Sequence, residues 1–183
     1  MNFKYIKNFN INKIKKIVAS FNDEWEIDTS RQKTFDAHSA TKTYNIYNAD
    51  IATWKPGMPY ETKLSCKNKK LLKYVNEIVF DLEKMHDGRV GQCILTSLDS
   101  GAEIPYHVDK GEYLVVSKRH HIPIITTDNV FFFIDSDLSV MREGECWEIR
   151  NIRPHRVINA GNIDRIHLIV DIIPNRYIGF LNA

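Results

Sequence analysis

Three residues in the second half of the chain have the side chains to hold a transition metal. His107 and Asp109 lie in the run Pro105-Tyr-His-Val-Asp109, and His155 lies in Arg153-Pro-His-Arg-Val157. Two imidazoles and one carboxylate, with no fourth ligand in view, form the donor set that holds non-haem Fe(II) on one octahedral face and leaves positions open for small molecules. His-x-Asp alone is a common pattern. On a strand, however, residues two apart point to the same side, so His107 and Asp109 can converge on one ion. His155 opens another β-rich segment, and in a barrel two strands separated by a long excursion return side by side.

The same parity singles out two arginines. In Arg119-His-His121-Ile-Pro123 the residues Arg119 and His121 share one strand face. In Arg165-Ile-His-Leu-Ile-Val-Asp171, Arg165 and His167 share a face, while Ile166, Leu168 and Val170 take the other. A buried guanidinium requires an anion, and it grips a carboxylate through two parallel hydrogen bonds. Beside a metal triad, the two arginines point to a dicarboxylate ligand. His38, His86 and His120 have no converging partner in the sequence and read as structural or exposed. Glu143, Glu145 and Glu148 lack the spacing of paired catalytic carboxylates.

These residues must be positioned by a scaffold, and its elements are legible in the periodicity. Ile11, Ile14, Ile17, Val18 and Phe21 recur at helical spacing with lysines between them, which predicts an amphipathic helix of about three turns. Lys42–Tyr47 alternates and is rich in β-formers. The polar run Arg31–His38 is a loop, in a place where a barrel enzyme could fold a segment over its mouth. Leu71, Leu72, Val75, Ile78, Val79, Leu82 and Met85 form one apolar stripe, a helix with Gly88 as its C-terminal cap. Beyond Gly88 the period changes to two. Short β-rich segments near 90–98, 104–109, 113–117, 119–126, 130–134, 139–142, 146–150, 154–159 and 165–173 are separated by turn residues. In Met141–Ile149, a turn leads into a strand with Trp147 in the core. Many short strands preceded by helices predict a mainly β fold with flanking helices, a double-stranded β-helix of jelly-roll or cupin type. The expected organisation is one domain over 1–183, with helical and loop support in 1–88 and the jelly-roll core in 89–175.

Bulk properties narrow the partners. A net charge of +2 gives no reason to expect nucleic acid or an anionic membrane surface. No apolar stretch reaches the length of a membrane span, and the start carries no signal-peptide core. Cys66, Cys93 and Cys146 are odd in number and lack CxxC spacing, so they read as reduced thiols. A cytoplasmic protein is expected.

The motifs PYHVD, Arg119-x-His121, GECWEI, PHRV and RIHLIVD occur in the order of the aspartyl/asparaginyl β-hydroxylase family, and the likeness spans about residues 90–173. That family is similar in turn to bacterial free-proline hydroxylases. The resemblance implies a dioxygenase that uses Fe(II) and 2-oxoglutarate to hydroxylate an amino acid or amino-acid residue, with succinate and CO2 as co-products. By position, it implies His107, Asp109 and His155 as metal ligands. Arg165 would clamp the distal carboxylate of 2-oxoglutarate with Thr96 beside it, and Arg119 and His121 would lie near the metal-proximal carboxylate. Eukaryotic membrane-anchored members lack the metal-binding acid, whereas Asp109 is present here, as in the proline hydroxylases. No counterpart of their tetratricopeptide region is present, which weighs against a folded protein domain as substrate. Two other readings use the same fold: a non-oxidative cupin that binds a metal or ligand, which leaves both arginines unassigned, and an inactive interaction module, which has no need of three converging ligands.

Overall fold

A computed structural model describes residues 1–26 and 39–179, so the segment Arg31–His38, expected from the sequence to be a loop, lies outside the described residues. The described residues form eleven strands: β1 (Phe3–Asn8), β2 (Thr41–Ala49), β3 (Thr62–Leu64), β4 (Gly88–Leu98), β5 (Glu103–His107), β6 (Lys118–Ile125), β7 (Val130–Ile134), β8 (Asp137–Ser139), β9 (Glu145–Ile149), β10 (His155–Asn159) and β11 (Arg165–Pro174). The α-helices among the described residues are α1 (Asn12–Val18), α2 (Lys69–His86) and α3 (Glu112–Val116). Seven strands make one antiparallel sheet in the order β1-β9-β6-β11-β4-β2-β3, and four make a second in the order β5-β10-β7-β8. This is the expected jelly roll. None of the helices among the described residues is long and apolar enough to cross a membrane.

Alternation along the large sheet separates two environments. Ile122 and Ile124 of β6, Cys93 and Leu95 of β4, and Leu168, Val170 and Ile172 of β11 turn to one face. There they meet Leu71, Val75, Ile78 and Leu82 of α2, with Ile14 and Val18 of α1. Because helices cover that face and the small sheet covers the other, all ten residues of β11 are buried, the pattern of a strand covered on both sides. Between the sheets, Leu98, Ile104, Phe132, Ile134 and Val157 form a second apolar cluster. The inner face of the large sheet also carries buried polar groups: Thr43, Thr96, Arg119, His121, Arg165, His167 and Asp171. The partly buried Trp147 packs against this inner cluster.

Local differences from the sequence reading have physical reasons. The segment 113–117, β-prone by composition, is the short helix α3, because Tyr113 is buried with its hydroxyl accepting the Gln92 N–H at 2.7 Å; tertiary packing overrides β-propensity here. The cap of α2 is Asp87, which takes the left-handed conformation at φ 44°, rather than Gly88. Gly88 instead opens β4, where an added Cβ would lie 2.5 Å from the Ile173 carbonyl, a close approach only glycine allows. The predicted strand at 139–142 falls earlier, as β8, and α1 is shorter than three turns. The division at residue 88 does not divide the sheet, since β1, β2 and β3 all belong to it.

At the start of α2, the Asn68 side chain accepts the Leu71 N–H at 3.0 Å, satisfying one of the helix's orphan donors. Asn68→Ala is expected to lower stability by about 1 kcal/mol in urea unfolding, with no change in the far-ultraviolet spectrum.

Candidate active site

His107 closes β5 and His155 opens β10, and the two are direct partners in the small sheet's register. Their rings lie 4.2 Å apart, centroid to centroid. The Nδ1 of His107 is 2.9 Å from the Pro105 carbonyl, and the Nδ1 of His155 is 2.8 Å from the Arg153 carbonyl. A carbonyl only accepts, so both Nδ1 atoms carry the proton and both Nε2 atoms present a lone pair when the rings are neutral. Asp109 lies beyond the end of β5, so it reaches the histidines from a loop and not by strand parity. Its backbone N–H is held by the Asn151 carbonyl at 3.3 Å, and its Oδ1 is 3.9 Å from the His107 Nε2. The ligand atoms of His107, Asp109 and His155 all lie within 4.8 Å of one another. Two imidazoles fixed by carbonyls, with a carboxylate between them, fit a divalent iron in donor type and in tautomer.

The other oxygen of Asp109 is committed to the protein. Its Oδ2 accepts from the Asn151 amide at 3.2 Å and from Nη1 of Arg119. Arg119 in turn uses Nε and Nη2 to grip both oxygens of the fully buried Asp171, at 2.8 and 2.9 Å. The Tyr113 hydroxyl completes this group, 3.3 Å from Asp171 Oδ2. Burial favours the neutral form of Arg119, but Asp171 and Asp109 outweigh it and raise its pKa further. Burial likewise opposes charge on Asp109, but Arg119, His155, the Asn151 amide and His107 together hold its carboxyl below the ordinary value. The dominant influence on His155 is burial, which holds it below the usual imidazole range despite Asp109. At neutral pH the triad is therefore one carboxylate and, at His155, a neutral imidazole.

A cleft between the sheets is lined by this triad and by Thr96, His121 and Arg165. Arg165 is 1% exposed, at the inner face of β11. Its Nη2 donates to His167 Nδ1 at 2.7 Å, which leaves the His167 proton on Nε2. Burial, with Arg165 and His121, holds His167 well below its ordinary pKa. The Thr96 hydroxyl is buried in the cleft with no hydrogen-bond partner among the described residues. A guanidinium beside an unsatisfied hydroxyl suits a ligand carboxylate.

All seven residues singled out by the sequence, His107, Asp109, His155, Thr96, Arg119, His121 and Arg165, thus line one cleft. Arg119 differs from expectation, because protein carboxylates already occupy its fork. The sequence reading misses Asp171 and Asn151. The parity that pairs Arg165 with His167 also places Asp171 on the inner face, so a signal for it exists; Asn151 carries none. Outside this cleft, His86 and His120 are brought together with Glu148, on the helix-covered side of the sheet.

Two antiparallel sheets with such a cleft between them make a double-stranded β-helix. The chain superposes on a prolyl hydroxylase from Trichoplax adhaerens, solved with a hypoxia-inducible-factor peptide fragment, at a TM-score of 0.59 and 11% identity, covering 96% of this chain and 85% of that one. A 2OG-Fe(II) oxygenase-family oxidoreductase from Burkholderia pseudomallei matches at 0.52 and 12% identity, covering 78% and 71%. The chain spans about a third (35%) of AerE from Microcystis aeruginosa, at a TM-score of 0.36 and 15% identity over 45% of this chain. No curated protein sequence matches it. The profile of the aspartyl/asparaginyl beta-hydroxylase family covers residues 11–174, and the chain belongs to that family.

Asp171→Asn removes the charge that balances a buried guanidinium. It is expected to cost about 3–5 kcal/mol of unfolding free energy in urea, the usual result of breaking one side of a buried pair.

Proposed function

We propose that this protein hydroxylates a C–H bond of an amino acid or amino-acid residue, consuming dioxygen and 2-oxoglutarate and releasing succinate and CO2. One observation carries the reading: a His107–Asp109–His155 set shares one cleft with the Arg165 guanidinium and the Thr96 hydroxyl. In this reading the whole chain acts as one catalytic unit, since β1, β2 and β3 complete the sheet that bears the cleft.

Fe(II) held here with 2-oxoglutarate would activate dioxygen as the oxidant of an unactivated C–H bond. The protein supplies position. His107 and His155 offer Nε2, each ring held by a carbonyl behind it. Asp109 offers Oδ1 while Arg119 and Asn151 hold Oδ2, so the carboxylate cannot rotate away. Arg165 binds the far carboxylate of 2-oxoglutarate, with the Thr96 hydroxyl donating to the same group. His121 also lines the cleft and meets Phe132 in a T-shaped ring contact, 5.2 Å between centroids. Phe132, Ile104 and Val157 form an apolar wall that excludes water from the reacting centre. The prolyl hydroxylase relative was solved with a peptide, so peptides belong beside free amino acids among candidate substrates.

The test is oxygen-dependent succinate formation by purified protein with Fe(II), 2-oxoglutarate and panels of free amino acids and short peptides. Turnover is expected to rise with one substrate and to fall to background in His155→Ala. Arg165→Gln is expected to raise the KM for 2-oxoglutarate by about tenfold or more, the loss of a charge-assisted hydrogen bond of about 1.5–3 kcal/mol. No oxygen-dependent succinate, together with no binding of Fe(II) or 2-oxoglutarate, would overturn the assignment.

A further inference from the structure

On the helix-covered face of the large sheet, three elements bring a second set of metal-ligand side chains together. His86 is the last residue of α2, His120 lies in β6 and Glu148 in β9. His120 and Glu148 are direct partners in the strand register. Ligand atoms of the three all lie within 4.8 Å of one another, as in the cleft. His120 is fully buried, and Glu148 retains 17% side-chain exposure.

We propose that His86, His120 and Glu148 form a second metal site that takes a Zn(II)-type divalent ion and ties the end of α2 to β6 and β9. Three features of the cluster support it. The Nδ1 of His120 is 3.2 Å from the Val170 carbonyl, so it carries the proton and Nε2 faces the cluster as a lone pair. A backbone carbonyl behind the ring is the usual outer support of a ligating histidine. The Nε2 atoms of His86 and His120 are 2.9 Å apart. Two bonds of about 2.0–2.1 Å to a tetrahedral ion place such atoms about 3.4 Å apart, so a small shift of His86 at its helix end admits the ion. In the metal-free protein these atoms share one proton; on binding, that proton moves to the His86 Nδ1 and none is released from the pair. Glu148 gives one oxygen to Lys118 at 3.2 Å, and its carboxylate has further lone pairs for a metal. Lys118 ends in a flexible, 39% exposed side chain that can turn to water when the ion arrives. Glu148 and Lys118 also line a surface cleft. Two histidines, one glutamate and a water complete a four-coordinate zinc shell.

Co(II) serves as the probe, added to metal-free protein and followed by its visible absorption and by equilibrium dialysis. Wild type is expected to bind two equivalents, and the His107→Ala/His155→Ala double variant to keep one. His86→Gln, altering a half-buried residue at a helix end, is expected to bind one, and combined with the double variant to abolish the remaining Co(II) binding and the Zn(II)-dependent rise in melting temperature that the double variant retains. A double variant that binds no Co(II), or His86→Gln that binds as much as wild type, would overturn the proposal. Either result leaves the assignment of the cleft intact, because that rests on oxygen-dependent succinate.

Discussion

The buried ion pair of Arg119 and Asp171 is the constraint on which the cleft depends. Two charges are placed between sheets where neither can be solvated, an arrangement that persists only with close geometry and full hydrogen bonding. The fork of Arg119 takes both oxygens of Asp171, and the remaining Nη1 reaches Asp109. A central strand, β11, thereby dictates where a loop carboxylate stands. The tyrosine of α3 reinforces the arrangement: Tyr113 meets Asp171 from one side and the β4 backbone from the other. This accounts for a helix where composition favours a strand.

Around that pair, the two sheets divide the labour. The small sheet carries both imidazoles, locked by backbone carbonyls at strand ends. The large sheet carries Arg165 and Thr96, set deep and covered behind by the apolar stripe of α2. A ligand that spans the cleft would touch both layers, which would link its binding thermodynamically to the packing of the sheets on each other.

Much of this is legible in the sequence because β-structure writes its faces into parity. Alternation alone assigns Arg119, His121, Arg165, His167 and the aliphatics of β11 to their sides. Parity fails where the chain leaves the sheet. Asp109 joins the histidines from a loop, so its convergence depends on Asn151 and Arg119 and not on alternation. It also fails across elements: nothing local pairs His86, on a helix, with His120, on a strand, since their meeting depends on how α2 lies over the sheet. The partnership of Arg119 with Asp171 is of the same kind, a register relation between β6 and β11 that no single segment reveals.

Strand β6 turns this register into a limit on how the chain can change in length. Arg119 and His121 face the cleft, while His120 between them faces the helices. Inserting or deleting one residue before this triplet would exchange the faces, sending a guanidinium into the apolar layer under α2 and withdrawing it from Asp109 and Asp171 at once. Individual side chains of β6 can be exchanged at graded cost, but its length cannot vary. Changes in length belong in the turns, such as Asp128–Asn129 between β6 and β7, where the chain reverses without committing a side chain to either face.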